Sequence, residues 1–136
     1  MDVVALIARI VFTAIFLGAA VGHLTAADAM AGYAAAKKLP QPKLAVQVSG
    51  AYILVASALL VLGIWPDLAA IAFVPFLLIT AFVFHDFWKQ ESPEMRQQEQ
   101  QQFLKDLSLA GGALALFVLY ASDSHPGLNL VGPLFT

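Results

Sequence analysis

Four stretches of this chain are apolar over the length a helix needs to cross a bilayer. They cover residues 3–22, 44–64, 68–87 and 103–120, and about 20 residues at helical rise span the hydrocarbon layer. None alternates strictly between apolar and polar residues, which argues against a membrane β-barrel. Helices satisfy their own backbone groups, as lipid demands. The expected fold is therefore an all-α integral membrane four-transmembrane-helix bundle. It occupies residues 1–136 as one domain, with a short extra helix between the first and second spans. Composition agrees: 60% of residues are hydrophobic and 12% charged, against roughly half and a quarter in soluble domains.

The connections differ in kind. Thr25-Ala26-Ala27-Asp28 reads as a capping box, a threonine followed three residues on by a carboxylate. It predicts an alanine-rich helix over 26–38, with Met30 and Tyr33 as its larger contacts. Leu39-Pro40-Gln41-Pro42 stops it, because each proline lacks an N–H and disfavours helix just before it. The middle turn, Gly63-Ile64-Trp65-Pro66-Asp67, is tight, and Trp65 suits the headgroup layer. Ser92-Pro93 with Glu94 predicts a helix start that runs on into the fourth span. Pro75 predicts a kink in the third. Gly18 and Gly22 share one face of the first span, and Gly111-Gly112 lies in the fourth. Small residues let helices approach closely, so these predict packing within the bundle. The tail, 121–136, carries Asp123 and His125 and is expected on the surface.

Charge sets the expected orientation. The first and third connections and their flanks hold Lys37, Lys38, Lys43, Lys89, Arg96 and Lys105, while the N-terminus, middle turn and tail hold no lysine or arginine. The positive-inside tendency puts the lysine-bearing connections in the cytoplasm and both termini outside a plasma membrane. The acidic second residue, Asp2, argues against a signal peptide, so the first span is expected to be retained.

Ionisable groups then gather at one level. His23 closes the first span, Phe84-His85-Asp86-Phe87-Trp88 closes the third, and Lys105-Asp106 opens the fourth. Helices of a four-span bundle lie near enough for these to meet. Arg9 lies within the first span, either snorkelling to the surface or facing a polar partner inside. Tyr52 and Ser57 are the polar groups of the second. Three chemistries fit the constellation. One is a structural rim in which Asp86 pairs with Lys105. Another is a pocket for a quinone, lipid headgroup or other amphiphile, with histidine donating to a carbonyl and Phe84, Phe87, Trp88 and Phe103 stacking on a ring. The third is a metal or haem held by His23 and His85. With no cysteine, disulfides, thiol redox chemistry, Cys-ligated clusters and c-type haem attachment are excluded. A net charge of −2 gives no footprint for nucleic acid.

At these residues the sequence resembles the DoxX family of small membrane proteins. The matches are the Arg9 and Gly18 region, Leu39-Pro40, Leu62-Gly63, His85-Asp86-Phe87-Trp88, and Phe103-Leu104-Lys105-Asp106 leading to Ala110-Gly111-Gly112. The family usually has asparagine where Asp106 stands. Members often carry a glutamate in the second span, where this chain has Tyr52 and Ile53. The resemblance implies a four-helix membrane fold and an association with quinone-linked redox chemistry; a distant branch acts as a cargo receptor.

Two functions are expected on these grounds. The first is a quinone-linked redox or oxidative-stress-related membrane subunit that works with a redox partner protein. In it His85, Asp86 and Lys105 are catalytic, and His23, Arg9, Trp88, Phe84, Phe103, Asp106 and Tyr52 bind substrate. Histidine changes charge near neutral pH and suits proton transfer; Asp86 or Asp106 would orient it, and Lys105 would hold an anionic group. The second is a non-enzymatic scaffold or receptor in the lipid bilayer that binds a partner protein, a lipid or a second copy of itself.

Overall fold

The computed structural model describes residues 1–122 and 127–135. Asp123 and His125, noted in the tail, lie outside them. Five α-helices follow in order: α1 Asp2–Thr25, α2 Ala27–Ala36, α3 Pro42–Leu62, α4 Pro66–Ile79 and α5 Pro93–Ala121. A π-helical turn, Thr80–Phe84, extends α4, and a 3₁₀ turn, Phe87–Lys89, leads towards α5. With the π turn counted into the third span, four segments are long and apolar enough to cross a membrane. Proline occupies the first turn of α3, α4 and α5, where its missing N–H has no helical partner to lose. Ser92 caps α5 by accepting from the Met95 N–H at 3.3 Å.

The expected start and length of α2 are corrected. Thr25 does not cap α2. It is the last residue of α1, and its hydroxyl donates to the Val21 carbonyl at 2.7 Å; α2 spans 27–36, shorter than the expected 26–38. Asp28 is free of capping and pairs with Lys43 at 2.8 Å. α4 runs through Pro75 to Ile79. The irregular turn comes five residues later, at Thr80.

α1 packs chiefly on α3, α3 on α4, and α4 on α5, while α2 lies against α3. The core alternates small and large. Ala56, Ala69, Ala70, Ala110 and Ala113 let α3, α4 and α5 approach, and Phe16, Phe73, Leu60 and Leu77 fill the space between. Phe16 and Phe73 stack with ring centroids 4.3 Å apart, and Phe12 meets Phe73 edge-on at 5.4 Å. Within lipid, such packing rather than water exclusion holds helices together. Gly50 is the closest approach of α3 to α1: a Cβ there would lie 2.6 Å from the His23 Cβ. The expected glycine contacts differ. Space is open beside Gly18, Gly22 and Gly111, whereas Gly112 faces the Phe12 ring. Gly18 turns outward because the Phe12–Phe16 face of α1 points to the core, and Gly111 because α5 turns Ala110 and Ala113 inward. Val11, Val48, Val55 and Val118 are each more than half exposed around the outside, which in water would be a large unfavourable apolar surface.

At the end away from the lysines, the tail is bonded into the bundle. Leu130 and Val131 N–H groups donate to the Leu62 and Gly63 carbonyls at 3.1 Å each. Gly63 adopts φ +65, a left-handed geometry that favours glycine. Buried Asp67 accepts from the Leu134 N–H at 2.8 Å and the Phe135 N–H at 2.6 Å. Arg9, fully buried, donates to Asn129 Oδ1 at 2.7 Å and the Leu128 carbonyl at 2.9 Å, with its guanidinium over the Tyr120 ring. Of the two alternatives for Arg9, the structure shows the buried one.

Candidate functional site

The π turn ends α4 with the His85 N–H bonded to the Thr80 carbonyl at 3.1 Å, and irregular backbone then carries His85 and Asp86 across to α5. Such turns occur often at functional sites. Glu99 and Asp106 are seven residues apart on α5, two turns, and so share a face. His85 lies between them. Its Nδ1 is 2.8 Å from Glu99 Oε2, and its Nε2 is 3.6 Å from Asp106 Oδ2. The Glu99 contact is of hydrogen-bond length and the Asp106 contact is an ion-pair distance. The three side chains form an acid–base cluster at the end of the bundle.

Asp86 serves a different network. It is buried and binds Lys37 Nζ at 2.5 Å, Lys89 Nζ at 3.3 Å and Gln90 Nε2 at 3.3 Å. The expected Asp86–Lys105 pair is thus corrected: Lys37 reaches Asp86 from the end of α2, and Lys105 instead meets Gln102 Oε1 and, at 3.5 Å, Asp106 Oδ1. Tyr33 adds a second tie from α2, donating to the Phe84 carbonyl at 2.8 Å with its ring 5.6 Å from that of Phe84. Burial first, and then the Glu99 and Asp86 charges, push the Tyr33 hydroxyl above its ordinary pKa of 10.0, which keeps it a donor.

A cavity of about 330 Å³ opens beneath α2, lined by His23, Met30, Tyr33, Ser49, Phe76, Thr80, Phe84 and His85 among others. Its walls are mainly apolar. Ser49 Oγ lies 2.8 Å from both the Val46 carbonyl and His23 Nδ1, which ties the end of α1 to α3. A smaller cleft of about 160 Å³, lined by His23, Phe76, Thr80, His85, Lys105 and Asp106 with Ile15, Ala19 and Leu109, lies between α1 and α5.

The structure therefore brings together His23, His85, Asp106 and Lys105, with Phe84 on the cavity wall and Asp86 just behind. It does not bring Arg9, Tyr52, Trp88 or Phe103 to the cavity. Arg9 binds the tail, fourteen residues from His23 along α1, roughly 20 Å at helical rise. Tyr52 donates its hydroxyl to the Ala72 carbonyl, tying α3 to α4 three residues before Pro75. Trp88 and Phe103 stack instead on Phe82 and Phe87, with centroids 5.2–6.4 Å apart, in a ring cluster apart from the cavity. For the metal reading, His85 turns each nitrogen to a carboxylate, and among the described residues no three His, Asp or Glu side chains converge as a metal ligand set. Glu99 is the residue that sequence reasoning missed. It lies in a glutamine-rich stretch, and its seven-residue spacing to Asp106 was the available signal.

Four apolar spans with apolar side chains outward define an integral membrane protein in contact with the lipid bilayer. The family model for DoxX matches residues 4–86, from the start of α1 to Asp86. The chain belongs to the DoxX family. No curated protein and no solved structure matches it.

Proposed function

We propose that this protein binds a lipid-soluble quinone in the cavity beneath α2 and serves as a quinone-linked redox subunit of the plasma membrane. The observation that carries this reading is His85, bracketed by Glu99 and Asp106 beside an apolar cavity of ring size. Reduction of a quinone to a quinol takes up two electrons and two protons. A redox partner protein supplies the electrons. His85 passes the two protons to the ring oxygens one at a time, and after each transfer it is reprotonated from cytoplasmic water by way of Glu99 and Asp106. Asp86 positions the segment by holding Lys37 and Lys89, and Lys105 attracts an anionic reduced oxygen. Orientation follows the lysines: this end faces the cytoplasm and both termini lie outside. The packing of α5 on α4 supports residues 1–136 acting as one domain.

Titration of the purified protein with a quinone analogue, read by displacement or by change in the quinone spectrum, tests this. Wild type is expected to bind and the His85→Ala variant to bind at least about tenfold more weakly, the loss of roughly one charge-assisted hydrogen bond. Absence of binding by wild type refutes it. A second reading, a membrane scaffold or receptor, is favoured by the Phe82–Trp88–Phe103 ring cluster, where Phe82 and Trp88 are about half exposed. Crosslinking from Trp88 to a partner protein, with quinone binding absent, would support it.

A further inference from the structure

Aromatic rings hold α1 away from α4 and α5. Phe12 and Phe16 of α1 meet Phe73 and Phe76 of α4 at centroid distances of 4.3–6.5 Å. One turn further along α1 the corresponding residue is Ala19, which fills far less volume. The separation set by the rings persists there, and the space becomes the cleft of about 160 Å³. Ile15 and Lys105 on its opposite banks are 43% exposed and 41% exposed at the side chain, so its mouth is on the outside of the bundle. In a membrane it opens sideways to lipid.

The cleft is graded in polarity. Lys105 and Asp106 stand at the helix-end side, and Ile15, Leu77 and Leu109 lie deeper. From His23 back to Ile15 is about 12 Å along the helix axis. It is also continuous with the larger cavity in its lining: His23, Phe76, Thr80 and His85 face both spaces. Those four side chains stand between the two spaces. An amphiphile whose polar ring lies against His85 therefore finds, on the other side of one wall, an apolar trough that leads to the acyl chains.

We propose that this cleft holds the apolar chain of the ring ligand and is its lateral entrance from the inner leaflet. The assignment rests on the quinone reading above and deepens it: the ligand class is a quinone with a long hydrocarbon chain, delivered through lipid and not through water. Phe76 and Thr80 form the threshold that the chain crosses.

Two probes in lipid nanodiscs test it, a quinone without a side chain and the same quinone with a decyl chain. Ala19→Trp and Leu109→Trp each fill the trough from a different bank, and Val11→Trp, on the lipid-facing side, is the control. The ratio of long-chain to short-chain affinity is expected to fall about tenfold or more in both cleft variants and to stay unchanged in the control. Unchanged ratios in both cleft variants, with helix content intact, overturn the lateral entrance and leave the quinone reading standing. Equal loss of both probes in both variants also overturns it, because the block then lies at the ring site. Failure of both probes to bind wild type overturns the quinone reading itself and this assignment with it.

Discussion

Asp67→Ala should release the C-terminal tail without melting the bundle. Asp67 is fully buried at the start of α4 and receives the Leu134 and Phe135 N–H groups. Hydrogen bonds to a charged acceptor contribute about 1.5–3 kcal/mol each, so removing this acceptor from two donors weakens tail docking by about 3 kcal/mol or more. At 1.4 kcal/mol per decade, that is on the order of a hundredfold in the opening equilibrium. The loss stays local, since the freed N–H groups reach water once the tail lifts and the helices keep their own bonds. Amide hydrogen exchange reads it directly. Leu134 and Phe135 should exchange about a hundredfold faster, and Leu130 and Val131 should follow if 127–135 lifts as one piece. α3 and α4 should keep their protection. Asp67→Asn, with one acceptor oxygen and no charge, should fall between. Wild-type protection at Leu134 and Phe135 in the alanine variant would refute the reasoning, as would equal loss of protection through α3.

Other outcomes are equally specific. Gly50→Val should force α1 from α3, because its Cβ would meet His23 Cβ at 2.6 Å; destabilisation of about 1–3 kcal/mol or more should appear in denaturant unfolding, while Gly18→Val, beside open space, should leave stability within about 0.5 kcal/mol. Glu99→Gln should keep a hydrogen-bonding group near His85 but remove its charge, so the His85 Nδ1 resonance should shift while the helices remain as they are. Tyr33 should ionise above 10.0 in the folded protein. Because its folded pKa is the higher one, its contribution holds below the unfolded pKa and declines as pH rises through the folded value; a spectrophotometric titration comparing wild type with Tyr33→Phe checks this. The absence of cysteine permits single-cysteine reporters: Lys38→Cys and Lys89→Cys should label from one side of the membrane and Leu128→Cys from the other.

Much of the fold was legible because it rests on one-dimensional signals. Lipid forces each span to bond to itself, so apolar length and prolines or caps at its start, such as Pro42, Pro66 and Ser92-Pro93, locate the helices without knowledge of neighbours. The family resemblance likewise rested on local motifs at fixed spacing. Side-chain partners obey no such rule. Thr25 had the sequence of a cap, yet α1 reached it first. Asp86 had Lys105 as an apparent mate, yet α2 delivered Lys37. Trp88 and Phe103 had the character of ring-stacking walls, yet they met each other.

The sequence by itself determined that the chain crosses the membrane four times and collects its lysines at one end, because hydrophobic length and charge placement act residue by residue. Only the tertiary structure decided that Glu99 and Asp106 enclose His85, that Arg9 and Asp67 hold the tail at the far end, and that aromatic rings leave a cleft beside α1. Those outcomes depend on which helix faces meet and how far apart they stand, quantities set jointly by contacts dozens of residues distant in the chain.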